Sequence, residues 1–461
     1  MRDRTSYLLL ILLVTNSLVL SAQDLKKDSV IAPTEPFAFA DFTWLNGNDR
    51  RHTDLLDSKY FTGRILMDVN ATWSNQNPID HTVIGSTSLA RNDEMEVSDA
   101  AFGGDFHSDN VRASILLQLG TRSTVLPPND LSTFHGQYDL QDVYRYFSEG
   151  NAGYHLNVWH GINVDAGLFT SYIGMFSWYN AENWAYQPSY VSDNTPWFFN
   201  GLRIQTFPSD KLKLEYWIVN GWQSYATYNN EPGFGCQALW RPVEWFQGVA
   251  NLYYGADQAN EPGRHRFHSD NSIELRYYNK PSNNFISRCA FSMAGDIGFE
   301  QGDGVNGFHG DSANGPAQFF VGGMFYNRIW FGTKQHIGWT FGGGFIHNPG
   351  RYLVLAPTGM ASPLPSNNYV PGITPGSDPF TEKPGDQFTA WDCSTTLDYM
   401  PQENVTWRLE LVHREASVPY FNGPGGVTSP SGYTTTPIPP GWTPDLVKQE
   451  TRIIVALLVR F

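Results

Sequence analysis

Apolar and polar residues alternate with a period of two in segment after segment of this chain, and no other feature restricts its fold as strongly. Phe61, Gly63, Ile65, Met67, Val69, Ala71 and Trp73 form an apolar series, while Arg64, Asp68, Asn70 and Thr72 fall between them. A period of two puts the two sets on opposite faces of a strand. The pattern recurs with Val111, Ala113, Ile115, Leu117 and Leu119 against Arg112, Ser114 and Gln118, with Leu212, Leu214, Tyr216 and Ile218 against Lys213 and Glu215, and with Val405, Trp407, Leu409 and Leu411 against Arg408, Glu410 and Arg414. The chain is therefore all-β, built from strands with one apolar face.

The alternation predicts about sixteen antiparallel strands, within a range of about 14 to 18. They fall near 60–75, 94–106, 110–121, 142–158, 162–172, 197–206, 210–222, 232–241, 244–256, 265–280, 284–299, 316–329, 334–348, 386–399, 404–416 and 449–461. Short turns such as 107–109, 207–209, 281–283 and 400–403 take turns with long connections at 76–93, 122–141, 173–196, 300–315, 349–385 and 417–448. A soluble sandwich has no reason to collect its long loops at one end. A transmembrane antiparallel β-barrel does, because its periplasmic turns are short and its external loops long.

The composition agrees with this. Charged residues make up 16% and aromatic residues 15%, and after residue 22 no apolar run of about 18 residues exists to form a transmembrane helix. Arg2 and Arg4 before the apolar run from Leu8 to Leu20, followed by Ser21 and Ala22, predict a signal peptide over 1–22. Its removal changes the formal charge from -15 to -16, so nucleic acid is not an expected partner. The expected domains are a signal peptide at 1–22, a periplasmic or plug-like segment at 23–58 and a barrel at 59–461. At the C-terminus Ile453, Val455, Leu457, Val459 and Phe461 form an apolar comb ending in an aromatic residue. This resembles the signal read by the outer-membrane barrel assembly machinery.

Four further stretches carry a family resemblance. They are Asp41-Phe42-Thr43-Trp44-Leu45-Asn46-Gly47-Asn48; Gly167-Leu168-Phe169-Thr170-Ser171-Tyr172-Ile173-Gly174 with Glu182-Asn183-Trp184; Asp193-Asn194-Thr195-Pro196-Trp197-Phe198-Phe199-Asn200-Gly201; and Val219-Asn220-Gly221-Trp222-Gln223. In this order the chain resembles the OmpL-like beta-barrel porins. The resemblance implies a single-chain channel in the outer membrane of a Gram-negative-type bacterium, with no catalytic signature and no cofactor to carry over. Its expected partners are outer-membrane lipid, the assembly machinery and small solutes, with a homo-oligomer left open. The expected function is passive diffusion of small hydrophilic solutes. The alternative is a transporter of a hydrophobic or specific small substrate, with Phe37 to Leu45 as a small plug.

Other sites are weak. The three cysteines, Cys236, Cys289 and Cys393, have no metal-ligand spacing and fall on the eighth, eleventh and fourteenth predicted strands, facing lipid. His265 and His268 point to opposite faces of one strand, so they do not make a metal site with Asp270. The acidic loop with Asp303, His309 and Asp311 lacks the register of a calcium loop and reads as a solvated external loop. No Ser, His and acid trio stands out, so catalytic and metal residues are expected to be none.

The inward faces at barrel closure are more informative. Arg408, Glu410 and Arg414, then Glu450, Arg452 and Arg460, then Arg64 and Asp68 bring five Arg against three carboxylates onto adjacent strands. Two readings stay open: the Arg set ion selectivity from the pore wall, or they pair with the acids and brace the wall. On the first reading, changing Arg408 and Arg452 together to Glu shifts the reversal potential toward cations in an intact barrel.

Overall fold

The computed structural model describes residues 35–461 except 128–129, 131, 133–135, 228, 258–260, 310–316, 350–361, 365–366 and 370–387. The expected signal peptide, residues 23–34, Asp311 and most of the 349–385 loop lie outside the described residues. Sixteen strands form a closed antiparallel barrel: β1 Phe61–Ser74, β2 Glu94–Ser108, β3 Val111–Leu119, β4 Phe147–Leu156, β5 Ile162–Thr170, β6 Phe198–Ser209, β7 Leu212–Val219, β8 Gly233–Val243, β9 Phe246–Gly255, β10 His265–Asn279, β11 Ile286–Gln301, β12 Phe319–Phe331, β13 Ile337–Asn348, β14 Phe388–Gln402, β15 Val405–Ala416 and β16 Gln449–Arg460. Each strand pairs with the next, and β1 closes on β16 with Met67 opposite Val459 and Trp73 opposite Ile453. No edge is left open, as hydrocarbon requires.

On the strands with the clearest alternation the apolar face turns outward. On β14 buried and exposed residues alternate without a break from Phe388 to Met400. On β16 Ile453 and Val455 are exposed while Arg452, Ile454, Ala456 and Leu458 are buried. A soluble core would invert this order; a lipid-facing wall produces it. Phe106, Trp240, Trp339, Tyr399 and Trp407 lie near the short turns with 39–52% of their surface exposed, which marks an aromatic girdle at that end.

The structure departs from the sequence reading at three places. The strand expected from 142 begins at Phe147, because Gln141–Tyr144 closes a helical turn whose end is held by Arg145 bonding back to the Gln141 carbonyl and side chain. Two small ribbons, Ser362–Leu364 with Asn367–Tyr369 and Phe421–Asn422 with Leu446–Val447, occur inside the long connections. The 171–197 connection, expected outside, turns into the lumen. Its Trp178, Tyr179, Trp184, Tyr186 and Tyr190 are all buried, an aromatic load that water would penalise on an exposed loop. The cysteines are free and lie on β8, β11 and β14. His268 is buried in the lumen, whereas His265 stacks on the outward ring of Tyr254 at 5.2 Å.

Candidate channel and its constriction

The lumen wall opposite β5 and β6 is made by β12, β14, β15, β16 and β1, and the 171–197 loop crosses the barrel to reach it. Glu410 accepts from the main-chain N–H groups of Tyr186 at 2.6 Å and Gln187 at 2.9 Å, and from Thr396 Oγ1 at 2.7 Å. Asp68 accepts from the Tyr186 hydroxyl and from Asn180 Nδ2, each at 2.8 Å. Arg408 donates to the carbonyls of Asn183 at 2.6 Å and Asn180 at 3.2 Å. Its Nε and Nη2 also donate to Asp398, which in turn binds Arg328 at 2.8 Å. Asp392 takes Ser189 Oγ at 2.7 Å and the Tyr190 N–H at 3.0 Å.

The remaining charges are matched in the same manner. Arg414 pairs with Asp193 of the loop at 2.8 Å and lies 3.9 Å from the Tyr190 ring centre. Arg452 pairs with Glu450 at 2.5 Å and donates to Gln187 Oε1 and the Ile84 carbonyl; Glu450 also accepts from Ser74. Arg460 binds Glu182 of the loop and Asp49, and Arg64 binds Glu149 at 2.9 Å. All the inward residues singled out from the sequence therefore face the lumen, but their partners include Asp398, Asp193, Asp49 and Glu149 from beyond the three strands considered. Counting those acids removes the local excess of Arg. A buried pair of this kind is costly to break, about 3–5 kcal/mol when one partner is lost.

The described N-terminal residues run across the short-turn end. The Phe37 N–H donates to the Asp210 carbonyl, Trp44 Nε1 to the Glu244 carbonyl, and Arg50 to the carbonyls of Gln402 and Val405. These contacts span turns on opposite sides of the barrel. In the middle, the Asn46 N–H donates to Glu274 at 2.8 Å, and Asn46 Oδ1 accepts from the Trp184 N–H at 2.7 Å. Gly47 is needed here, since its φ is +71° and an added Cβ would come 2.4 Å from the Met175 carbonyl oxygen. Asp49 is shielded from water, which raises a carboxyl pKa, but Arg460 and Arg51 outweigh this and hold it below the ordinary value.

Between the loop, the 45–48 segment and the inner faces of β5 to β10 remains a cavity of about 440 Å³. Arg64 lines it, along with Arg203, Lys213, Glu215, Arg241 and Glu274, whereas Arg408 borders only a small void of about 30 Å³. Sequence reasoning missed Arg203 and Arg241, although both occupy the inward parity of their strands. The arrangement offers hydrogen bonding and charge to a small polar solute.

A closed sixteen-strand barrel with a lipid-facing apolar surface, a polar lumen and an inward loop defines an outer-membrane channel. The model for the family described as "Putative beta-barrel porin-2, OmpL-like" matches residues 60–438, and the chain belongs to that family. It is a porin-like outer-membrane channel for passive diffusion. No curated protein matches it. Solved structures similar to it include the outer-membrane channel DcaP of Acinetobacter baumannii, with 8% identity, 87% of this chain and 97% of that chain covered, and a TM-score of 0.49. An anion-selective porin from Comamonas acidovorans shows 9% identity, coverage of 87% and 99%, and a TM-score of 0.48. OprB of Pseudomonas putida shows 12% identity, coverage of 87% and 94%, and a TM-score of 0.46.

Proposed function

We propose that the channel passes small hydrophilic solutes through a filter formed by the 171–197 loop, with residues 35–48 as a plug-like cover on the periplasmic mouth. The observation that carries this reading is the set of bonds from Asp68, Asp392, Arg408, Glu410 and Arg414 to that loop, which leave one lined cavity beside it. On this reading these five, with Glu450 and Arg452, set the pore by holding its filter, and their charges act as braces. The protein performs no catalysis. Residues 1–22 are removed on export, the comb from Ile453 to Phe461 is read by the assembly machinery, and the barrel sits in outer-membrane lipid, alone or as a homo-oligomer. A polar, charged lining supports hydrophilic solutes over the hydrophobic-substrate alternative. Proteoliposome swelling tests it: small sugars and amino acids enter at rates that fall with size, and equal exclusion of all of them would refute it.

A further inference from the structure

We infer that Arg241 makes the lumen cavity a binding site for small organic anions, a deepening that rests on the channel reading above. Most charges in the cavity are already engaged. Glu215 is filled by Gln205, Lys213 and Trp217 Nε1. Glu274 accepts from Gln247 on one oxygen and from the Asn46 N–H on the other. Glu182 is held by Arg460 and Ser177. Each of these three lining carboxylates already has at least two donors, those of Glu274 being neutral.

The lining cations divide differently. Arg64 pairs with Glu149, Arg203 with Asp165 at 2.9 Å, and Lys213 with Glu215 at 2.7 Å. For Arg241, no carboxylate among the described residues comes within 4.0 Å. Its Nε donates to Gln247 Oε1 at 2.6 Å, and its guanidinium lies over the rings of Phe37 at 4.9 Å and Phe42 at 4.7 Å. Cation–π contact and one hydrogen bond fix the plane of the group and leave its terminal nitrogens without an acceptor among the described residues. A fixed guanidinium fork matches two oxygens of a carboxylate or a phosphate.

The cavity volume of about 440 Å³ holds more than an inorganic ion, and the rings of Trp197 and Trp217 border it. The ligand class is therefore a small organic anion, a carboxylate or a phosphate ester, with its carbon frame against the aromatic wall. Because Phe37 and Phe42 belong to the segment across the short-turn mouth, the same segment that narrows the channel also aims its anion-binding group.

The test is a titration of the refolded full-length protein with succinate, glycerol phosphate and uncharged erythritol, read by tryptophan fluorescence and, in a planar bilayer, by current. Both anions are expected to bind and erythritol is not. Arg241→Gln should weaken anion binding by about tenfold or more, the loss expected for charge-assisted bonds. Arg241→Lys keeps the charge and should restore part of the affinity, so it serves if the Gln variant does not fold. Anion binding within about twofold of the parent in these variants, or none in the parent, would overturn the assignment. Succinate binding by a protein that carries no current would leave this site standing and remove the channel reading.

Discussion

Tyr186 donates its main-chain N–H to Glu410 at 2.6 Å across 224 residues of sequence, tying the tip of the inward loop to the opposite wall of the barrel. A single carboxylate thus caps two successive loop N–H groups in a buried place. Glu410→Ala strands those donors, at about 1–3 kcal/mol each. The barrel strands stay paired, so the expected result is a folded protein whose 180–190 amides exchange faster. Unchanged hydrogen exchange there would show that the loop does not depend on Glu410.

The double change of Arg408 and Arg452 to Glu has a different expected outcome from the one its sequence position suggests. Each new carboxylate would face an existing one, Asp398 and Glu450, with water excluded. Breaking two buried pairs costs about 3–5 kcal/mol apiece. The variant should lose the heat-resistant folded band on unboiled gels, and a normal band together with a shifted reversal potential would restore the selectivity reading.

Gly47→Val tests the cover at the short-turn mouth. The new side chain collides with the Met175 carbonyl, so residues 35–48 should undock while the barrel persists. Proteolysis before Lys59 should speed up markedly, and the same cleavage rate as the parent would count against docking.

A pH effect follows from Asp80 in the connection after β1. Burial raises its pKa, but N–H donors from Val427 and Thr82 with the side chains of Asn422 and Thr428 outweigh this and bring it below the ordinary 3.8. A depressed carboxyl pKa contributes stability above the unfolded value that is lost as pH falls through the folded one. Thus the tie from this connection to residues 417–448 should hold at neutral pH and release only in acid, below about pH 4. Protease nicking in 417–448 should rise over that window in the parent, and Asp80→Asn should be nicked at every pH. Equal rates in parent and variant would contradict the tie.

The wall of this channel was legible in the sequence because period two assigns each side chain a face, and lipid rewards only one assignment. Ile453, Val455 and their neighbours could be placed outside, and Arg408 and Glu410 inside, from parity alone. What parity cannot give is which residue meets which across the lumen. Asp193 reaches Arg414 and Asp49 reaches Arg460 from a loop and a terminal segment, so counting Arg on β15, β16 and β1 overstated the free charge. The inward loop did carry a signal, its dense aromatics from Tyr172 to Tyr190 with few charges, which an external loop in water would not tolerate. For Arg241 parity gives the inward face but not its surroundings, since Phe37, Phe42 and Gln247 become its neighbours only when the barrel closes.

Single-channel conductance of the refolded parent beside Glu410→Ala reports whether the 171–197 loop narrows a water-filled barrel. The parent should show a small, steady conductance, and Glu410→Ala a larger, noisier one because Glu410 no longer holds the loop. A parent that carries no current at any voltage, or a folded Glu410→Ala variant with the parent's conductance, would contradict a channel narrowed in this way.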